Sequence, residues 1–264
     1  MSSARRSQRG FARKSVWLLP LIFVAISVAA LAGWWWQSYS KNQEQITLQQ
    51  IDRWRMQAMA GQGAQAIPEL KRAAAENRVA AQRALAEVLL HKLETAQEGM
   101  RYAEQAANNG DVAAQYMLGK AYFDGSGTIT RVPDMARARH WLEVAAEHQH
   151  AQAMYLLGLM HKSGYGGSVD YAASVKWLAR AVQLGHPEAM FMLANAYHDG
   201  QGVAQDQQQA LRLYQAAAEK ENPQAAQVLA MAYRDGSLGL KQDKAESEQM
   251  MREVAHILSH PDHQ

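Results

Sequence analysis

Residues 114–119 read Ala114-Gln-Tyr-Met-Leu118-Gly119, and the same phrase returns as Ala153-Met-Tyr-Leu-Leu157-Gly158, Ala189-Met-Phe-Met-Leu193-Ala194 and Ala225-Ala-Gln-Val-Leu229-Ala230. The starts are 39, 36 and 36 residues apart, and a weaker copy, Ala81-Gln-Arg-Ala-Leu85-Ala86, lies 33 residues before the first. A period in this range marks a solenoid of helix pairs, because a unit of this length holds two short helices that cannot cover their apolar faces alone. Ala114, Leu118 and Tyr122 are four apart and share one stripe of a helix, as do Ala189, Leu193 and Tyr197.

Working outward, each such helix meets a stop: Asp124-Gly125, Ser163-Gly164, Asp199-Gly200 and Asp235-Gly236. Glycine takes the left-handed conformation that ends a helix without steric cost. A second helix then opens on Asp134, Asp170, Asp206 and Asp243, each seven residues before a large apolar residue, Trp141, Trp177, Leu213 and Met250. An aspartate there accepts from the free backbone donors of the first turn. Thr95, seven before Tyr102, predicts the same start in the weak copy. Alanines at the contacts allow close approach, and the large residues Trp141 and Trp177 are expected in the core.

The full phrase, A-x-x-x-L-G-x-x-Y-x-x-G-x-G followed by D-x-x-x-A-x-x-W-x-x-x-A-A, resembles the Sel-one-like repeat, a relative of the tetratricopeptide repeat. Ala114, Leu118, Gly119, Tyr122, Gly125, Gly127, Asp134, Ala138, Trp141, Ala145 and Ala146 fit one whole unit. His161 replaces the tyrosine in the next unit, Leu213 and Met250 replace the tryptophan, and Ser126–Val132 is a longer loop. The resemblance covers roughly 79–257 and implies an all-α solenoid of stacked antiparallel helix pairs that binds protein partners.

Upstream, Val16 to Trp36 is a run of 21 uncharged, mostly apolar residues, VWLLPLIFVAISVAALAGWWW. As a helix it would be about 31 Å long, the thickness of a bilayer core. Arg5, Arg6, Arg9, Arg13 and Lys14 precede it without an acidic residue, which predicts a cytoplasmic N-terminus and a periplasmic remainder. Trp34, Trp35 and Trp36 are expected at the far interface, as part of a membrane anchor. Ala30-Leu31-Ala32 is a competing cleavage signature. Both readings export the domain.

The expected organisation is therefore a basic cytoplasmic tail over 1–15, one transmembrane helix over 16–36, a linker over 37–45, a degenerate helix pair over 46–78, the solenoid over 79–258 and a loose tail over 259–264. Within 46–78, helices are expected over 46–60 and 67–76, separated by Gly61-Gln-Gly63. The net charge of +2 comes from the basic tail; the rest of the chain carries 22 basic against 25 acidic residues, which supports no nucleic-acid patch. The absence of cysteine excludes disulfides and a lipid-modified cysteine.

No catalytic or cofactor motif occurs, so neither an enzyme nor a small-molecule substrate is expected and no cofactor is implied. His256, His260 and His263 are spaced for a metal only if the tail is helical, and Pro261 argues against that, so no metal is assigned. His148 and His150 read as polar loop residues, and Tyr116, Tyr155 and Phe191, which share one repeat position, as packing. Partner-reading residues are sought where the repeats disagree: one row is Lys120, Leu159, Asn195 and Met231, another Phe123, Lys162, His198 and Arg234. Residues that repeat serve the fold, whereas residues that change from layer to layer suit a binding surface. The expected function is a protein–protein adaptor at the bacterial inner membrane, serving an envelope, secretion, cell-wall or signalling complex. The alternative is a soluble periplasmic regulator, released by cleavage, that binds a sensor or a cell-wall enzyme.

Overall fold

A computed structural model describes residues 31, 33–35, 48–126 and 132–259. The basic tail, most of the expected transmembrane run including Trp36, the linker, the centre of the Ser126–Val132 loop and the tail from 260 lie outside the described residues. Trp34 and Trp35 are helical and exposed. No helix among the described residues is long and apolar enough to cross a membrane.

The described residues hold helices and no strand. Helix α1 (48–57) is followed by a π-helical turn, Ala58–Gln62, and by α2 (Gly63–Ala75). Then come five antiparallel pairs: α3 (Val79–Leu90) with α4 (Ala96–Asn108), α5 (Val112–Asp124) with α6 (Met135–Glu147), α7 (Ala151–Ser163) with α8 (Tyr171–Gln183), α9 (Pro187–Asp199) with α10 (Gln207–Ala218), and α11 (Pro223–Asp235) with α12 (Lys244–Ser259). The first helix of each pair is called A and the second B. Each B packs on its own A, α4, α6, α8 and α10 also pack on the next A, and A helices of successive pairs touch directly, α3 with α5 and α5 with α7. From Arg55 onward the chain belongs to one compact unit.

Each B-to-A junction is closed by one residue in two ways. The N–H of Asp111, His150, His186 and Asn222 donates back to the carbonyl of Ala106, Ala145, Ala181 and Ala217, the wrap-around bond that ends a B helix. The side chain of the same residue then accepts from the N–H three residues on, of Ala114, Ala153, Ala189 and Ala225, and opens the A helix. The residue before each, Gly110, Gln149, Gly185 or Glu221, has positive φ, and the two that are not glycine carry the steric cost of the left-handed region. A-to-B junctions repeat as faithfully. Asp134, Asp170, Asp206 and Asp243 donate their N–H to the carbonyls of Tyr122, His161, Tyr197 and Tyr233, while their carboxylates cap the B helices. Because this link uses only the backbone of position 161, histidine in place of tyrosine leaves it intact.

The core is alanine-rich: Ala114, Ala138, Ala145, Ala146, Ala153, Ala181, Ala189 and Ala217 are wholly buried. Among the large buried residues are Leu118, Leu142, Leu157, Leu178 and Leu229 with Met154 and Met160. This corrects the expectation for Trp141 and Trp177, which are only partly buried against the core; Leu142 and Leu178, one residue further, fill it. Adjacent residues of a helix point about 100° apart, so the four-residue pattern alone does not separate them. Leu142 and Leu178 lie so close to the A helix that a Cβ built on Gly119 would stand 2.6 Å from Leu142 Cγ, and one on Gly158 2.7 Å from Leu178 Cγ. Glycine there is a packing requirement.

Two further expectations change. Gly61, at φ 89° and ψ 0°, does break the helical path between the first two helices as expected, but α2 starts at Gly63 rather than at 67 and runs through Pro68, which costs it one intrahelical bond. Thr95 precedes α4 but its hydroxyl donates backward to the Leu89 carbonyl at 2.6 Å, closing α3 rather than capping α4.

Candidate partner-binding face

The two variable rows and the aromatic position fall on one stripe, since they are spaced i, i+4 and i+7 along each A helix. The stripe reads Arg83, Glu87, Leu90 on α3; Tyr116, Lys120, Phe123 on α5; Tyr155, Leu159, Lys162 on α7; Phe191, Asn195, His198 on α9; and Gln227, Met231, Arg234 on α11. Its accessibility is greatest at the C-terminal end: the three α7 positions are partly buried, and the three α11 positions are exposed.

Several stripe residues are engaged within the fold. Lys120 Nζ donates to Asp124 Oδ2 at 2.6 Å, which raises the lysine's pKa. Phe123 meets the Tyr165 ring edge-on at 5.9 Å. Asn195 Oδ1 accepts from the Tyr214 hydroxyl at 2.6 Å, and burial pushes that hydroxyl's pKa up to about 12. His198 Nδ1 faces Gln207 Oε1 at 2.8 Å. Arg234 makes a forked pair with Asp235 at 2.8 and 3.0 Å. Lys162 is partly buried and Met231 exposed, so the freest apolar group of the stripe is at the C-terminal end.

The stripe borders two grooves. One, of about 450 Å³, lies between α3 and α5 and has an apolar floor of Met59, Leu90, Met117 and Ala121 with Tyr116 and Lys120 at its wall. The other, of about 240 Å³, lies between α11 and α12, where Met231 and Met251 face Gln227 and Arg234. A third groove, of about 650 Å³, opens on the B side and is charged: Glu98 and Arg101 line it, and Tyr122 donates to Glu104 Oε1 at 3.0 Å beneath the Arg137 guanidinium. Its charges answer each other.

A relation between layers was missed in the sequence. The first stripe position of one A helix reaches the cap residue of the next. Arg83 pairs with Asp111 at 2.9 Å, Tyr116 stacks on His150 with centroids 4.4 Å apart, and Tyr155 stacks on His186 at 4.8 Å. His150 is thus a cap and a stacking partner, not a loop residue; His148 beside it is exposed. The signal was present, because His150 and His186 stand where Asp111 and Asn222 stand. Phe191 has no such histidine ahead of it and tilts against Tyr214 at 5.9 Å. Burial raises the pKa of Tyr116 and Tyr155 and lowers that of both histidines.

No group of three metal-ligating side chains occurs among the described residues, and His260 and His263 lie outside them. The Gly164-Tyr-Gly166-Gly167 segment ends α7, with Arg139 Nη2 donating to the Tyr165 carbonyl, and is a turn between paired helices.

The chain resembles two solved proteins of known fold. A Sel1 repeat protein from Oxalobacter formigenes is 28% identical, with a TM-score of 0.68 over 78% of this chain and 86% of that one. A protective antigen present in uropathogenic Escherichia coli strains is also 28% identical, with a TM-score of 0.66 over 76% of this chain. This chain covers only 44% of that antigen's length. None of the curated proteins matches. Solenoids of this kind mediate protein–protein interaction. The Sel1 repeat model matches five consecutive units, 79–111, 112–150, 151–186, 187–222 and 223–253, and the chain belongs to the Sel1 repeat family.

Proposed function

We propose that this protein is a membrane-anchored scaffold of the bacterial periplasm, holding a protein partner of an envelope, secretion, cell-wall or signalling complex near the inner membrane. The observation that carries the docking reading is the contrast on the A helices. Buried positions repeat from layer to layer, whereas the two variable rows change in character, from Lys120 through Leu159 and Asn195 to Met231 and from Phe123 through Lys162 and His198 to Arg234. A partner reads such a surface by the order of its residues. The apolar run 16–36 behind five basic residues supports the anchor and its orientation.

A photo-crosslinking residue placed at 120, 195 or 231 in intact cells should trap one discrete partner, and the same residue on the B side at 101 or 137 should not. Trapping from the B side alone would move the site to the charged groove. A periplasm-active reporter fused after Gln264 should be active; activity of a cytoplasmic reporter instead would overturn the localisation. Ala30-Leu31-Ala32 favours a second reading, a released periplasmic regulator. The mass of the mature protein separates the two, since cleavage after Ala32 leaves Gly33 at the N-terminus.

A further inference from the structure

We propose that the two histidine joints, Tyr116–His150 and Tyr155–His186, make the middle of the solenoid proton-sensitive, holding α7 and α9 against the preceding A helices at neutral pH and loosening them on acidification. Nδ1 of His150 accepts from the Ala153 N–H at 3.3 Å, and Nδ1 of His186 from the Ala189 N–H at 3.3 Å. Only a neutral imidazole has that acceptor. Protonation turns Nδ1 into a donor facing another donor, and removes the cap. The imidazolium also lies at the positive end of the helix dipole, where a cation is disfavoured.

The surroundings oppose the charged form at His150 and are mixed at His186. His150 packs on Tyr116 and feels His186, a like charge once both are protonated. Arg180 of α8 reaches the Ala146 carbonyl and adds positive charge nearby, while the Lys120–Asp124 pair beyond Tyr116 is neutral as a unit. His186 is almost wholly buried beside Tyr155, and Glu188 Oε2 stands 3.1 Å from its Nδ1. Lys220, at the end of α10, has its ammonium close to Gly185. Nδ1 of His186 therefore has two exclusive partners, the Ala189 N–H when neutral and the Glu188 carboxylate when protonated. His186 Nε2 is buried with no hydrogen-bond partner.

Burial is the first cause of the lowered pKa at both histidines. A depressed imidazole means that the unfolded chain binds protons that the folded chain refuses. The stabilisation is complete above the ordinary histidine value of about 6.5 and is lost as pH falls from there through the folded value. The flanking junctions supply the control. Asn222 caps α11 without titrating, and Asp111 caps α5 as a carboxylate paired with Arg83.

The test uses the full-length protein in detergent and a His150→Asn/His186→Asn variant, which copies the Asn222 cap. Between about pH 7.5 and about pH 5 the parent should lose roughly 4–8 °C more in Tm than the variant, the effect of two lost caps in a chain of this size. Equal losses would overturn the proposal. Should the variant fail to fold, carbon-detected titration of the parent's imidazoles decides: both midpoints below the free-histidine value sustain it, and either midpoint at or above that value overturns it.

Discussion

In α5 and α7 a glycine lies beneath a leucine of the partner helix, Gly119 under Leu142 and Gly158 under Leu178; in α9 and α11 the same position holds Ala194 and Ala230. The residues equivalent to the two leucines are Tyr214, buried and bonded to Asn195, and Met251, which is 47% exposed. The repeat phrase is the same throughout, but in the middle pairs a neighbour on each side closes the layer. Past α12 no further helix stands among the described residues, and the position that is core in α6 becomes surface. Burial in a solenoid thus belongs to the layer and its neighbours together.

The largest effects should fall where the layer is closed on both sides. Leu142→Ala and Leu178→Ala are each expected to cost about 2–5 kcal/mol in urea unfolding, whereas Met251→Ala should change stability by about 0.5 kcal/mol or less. Similar costs at all three would erase the distinction between middle and end.

Gly158→Ala sharpens the same contrast by reversing a propensity rule. Alanine favours a helix over glycine by about 1 kcal/mol, but its methyl would meet Leu178, so a net loss of roughly 1–3 kcal/mol is expected. Stabilisation by this change would contradict the close approach of α7 and α8. Trp177→Ala comes next, at about 1–3 kcal/mol and below Leu178→Ala, since the indole is only partly buried and the Arg180 guanidinium covers it at 4.5 Å. Asp170→Ala should cost about 1 kcal/mol through the lost cap, and Asp206→Ala about the same, because a cap is a local device indifferent to position in the stack. Smallest is Lys120→Ala, within about 0.5 kcal/mol, because its pair with Asp124 is exposed. Thermal or urea melts rank all of these on one scale.

Much of the fold was legible because its signals are short-range. Asp134, Asp170, Asp206 and Asp243 do cap B helices, and Gly125, Gly164, Gly200 and Gly236 do end A helices at φ near 70°. Thr95 misled because a hydroxyl donates as well as accepts, and the nearer carbonyl of Leu89 took it. The candidate stripe was half legible. Its two rows were found as variable positions, and their i, i+4, i+7 spacing already joins them to Tyr116, Tyr155 and Phe191 on one face; that Asn195 is bonded to Tyr214 needed the neighbouring helix. His150 was read as a loop residue, and His186 was given no role, because an imidazole has no fixed local role until its pH state and its neighbours are known.

The sequence by itself determined the helical period, the pairing of short helices, the aspartate caps of the B helices, the glycine stops of the A helices and the number of repeats, since each depends on residues within one unit. Only the tertiary structure decided that Leu142 rather than Trp141 fills the core, that Tyr116 and Tyr155 stack on the caps of the following layer, and that Met231 and Met251 remain open at the end. Those outcomes turn on how far one layer rotates against the next, a long-range packing angle that no single repeat encodes.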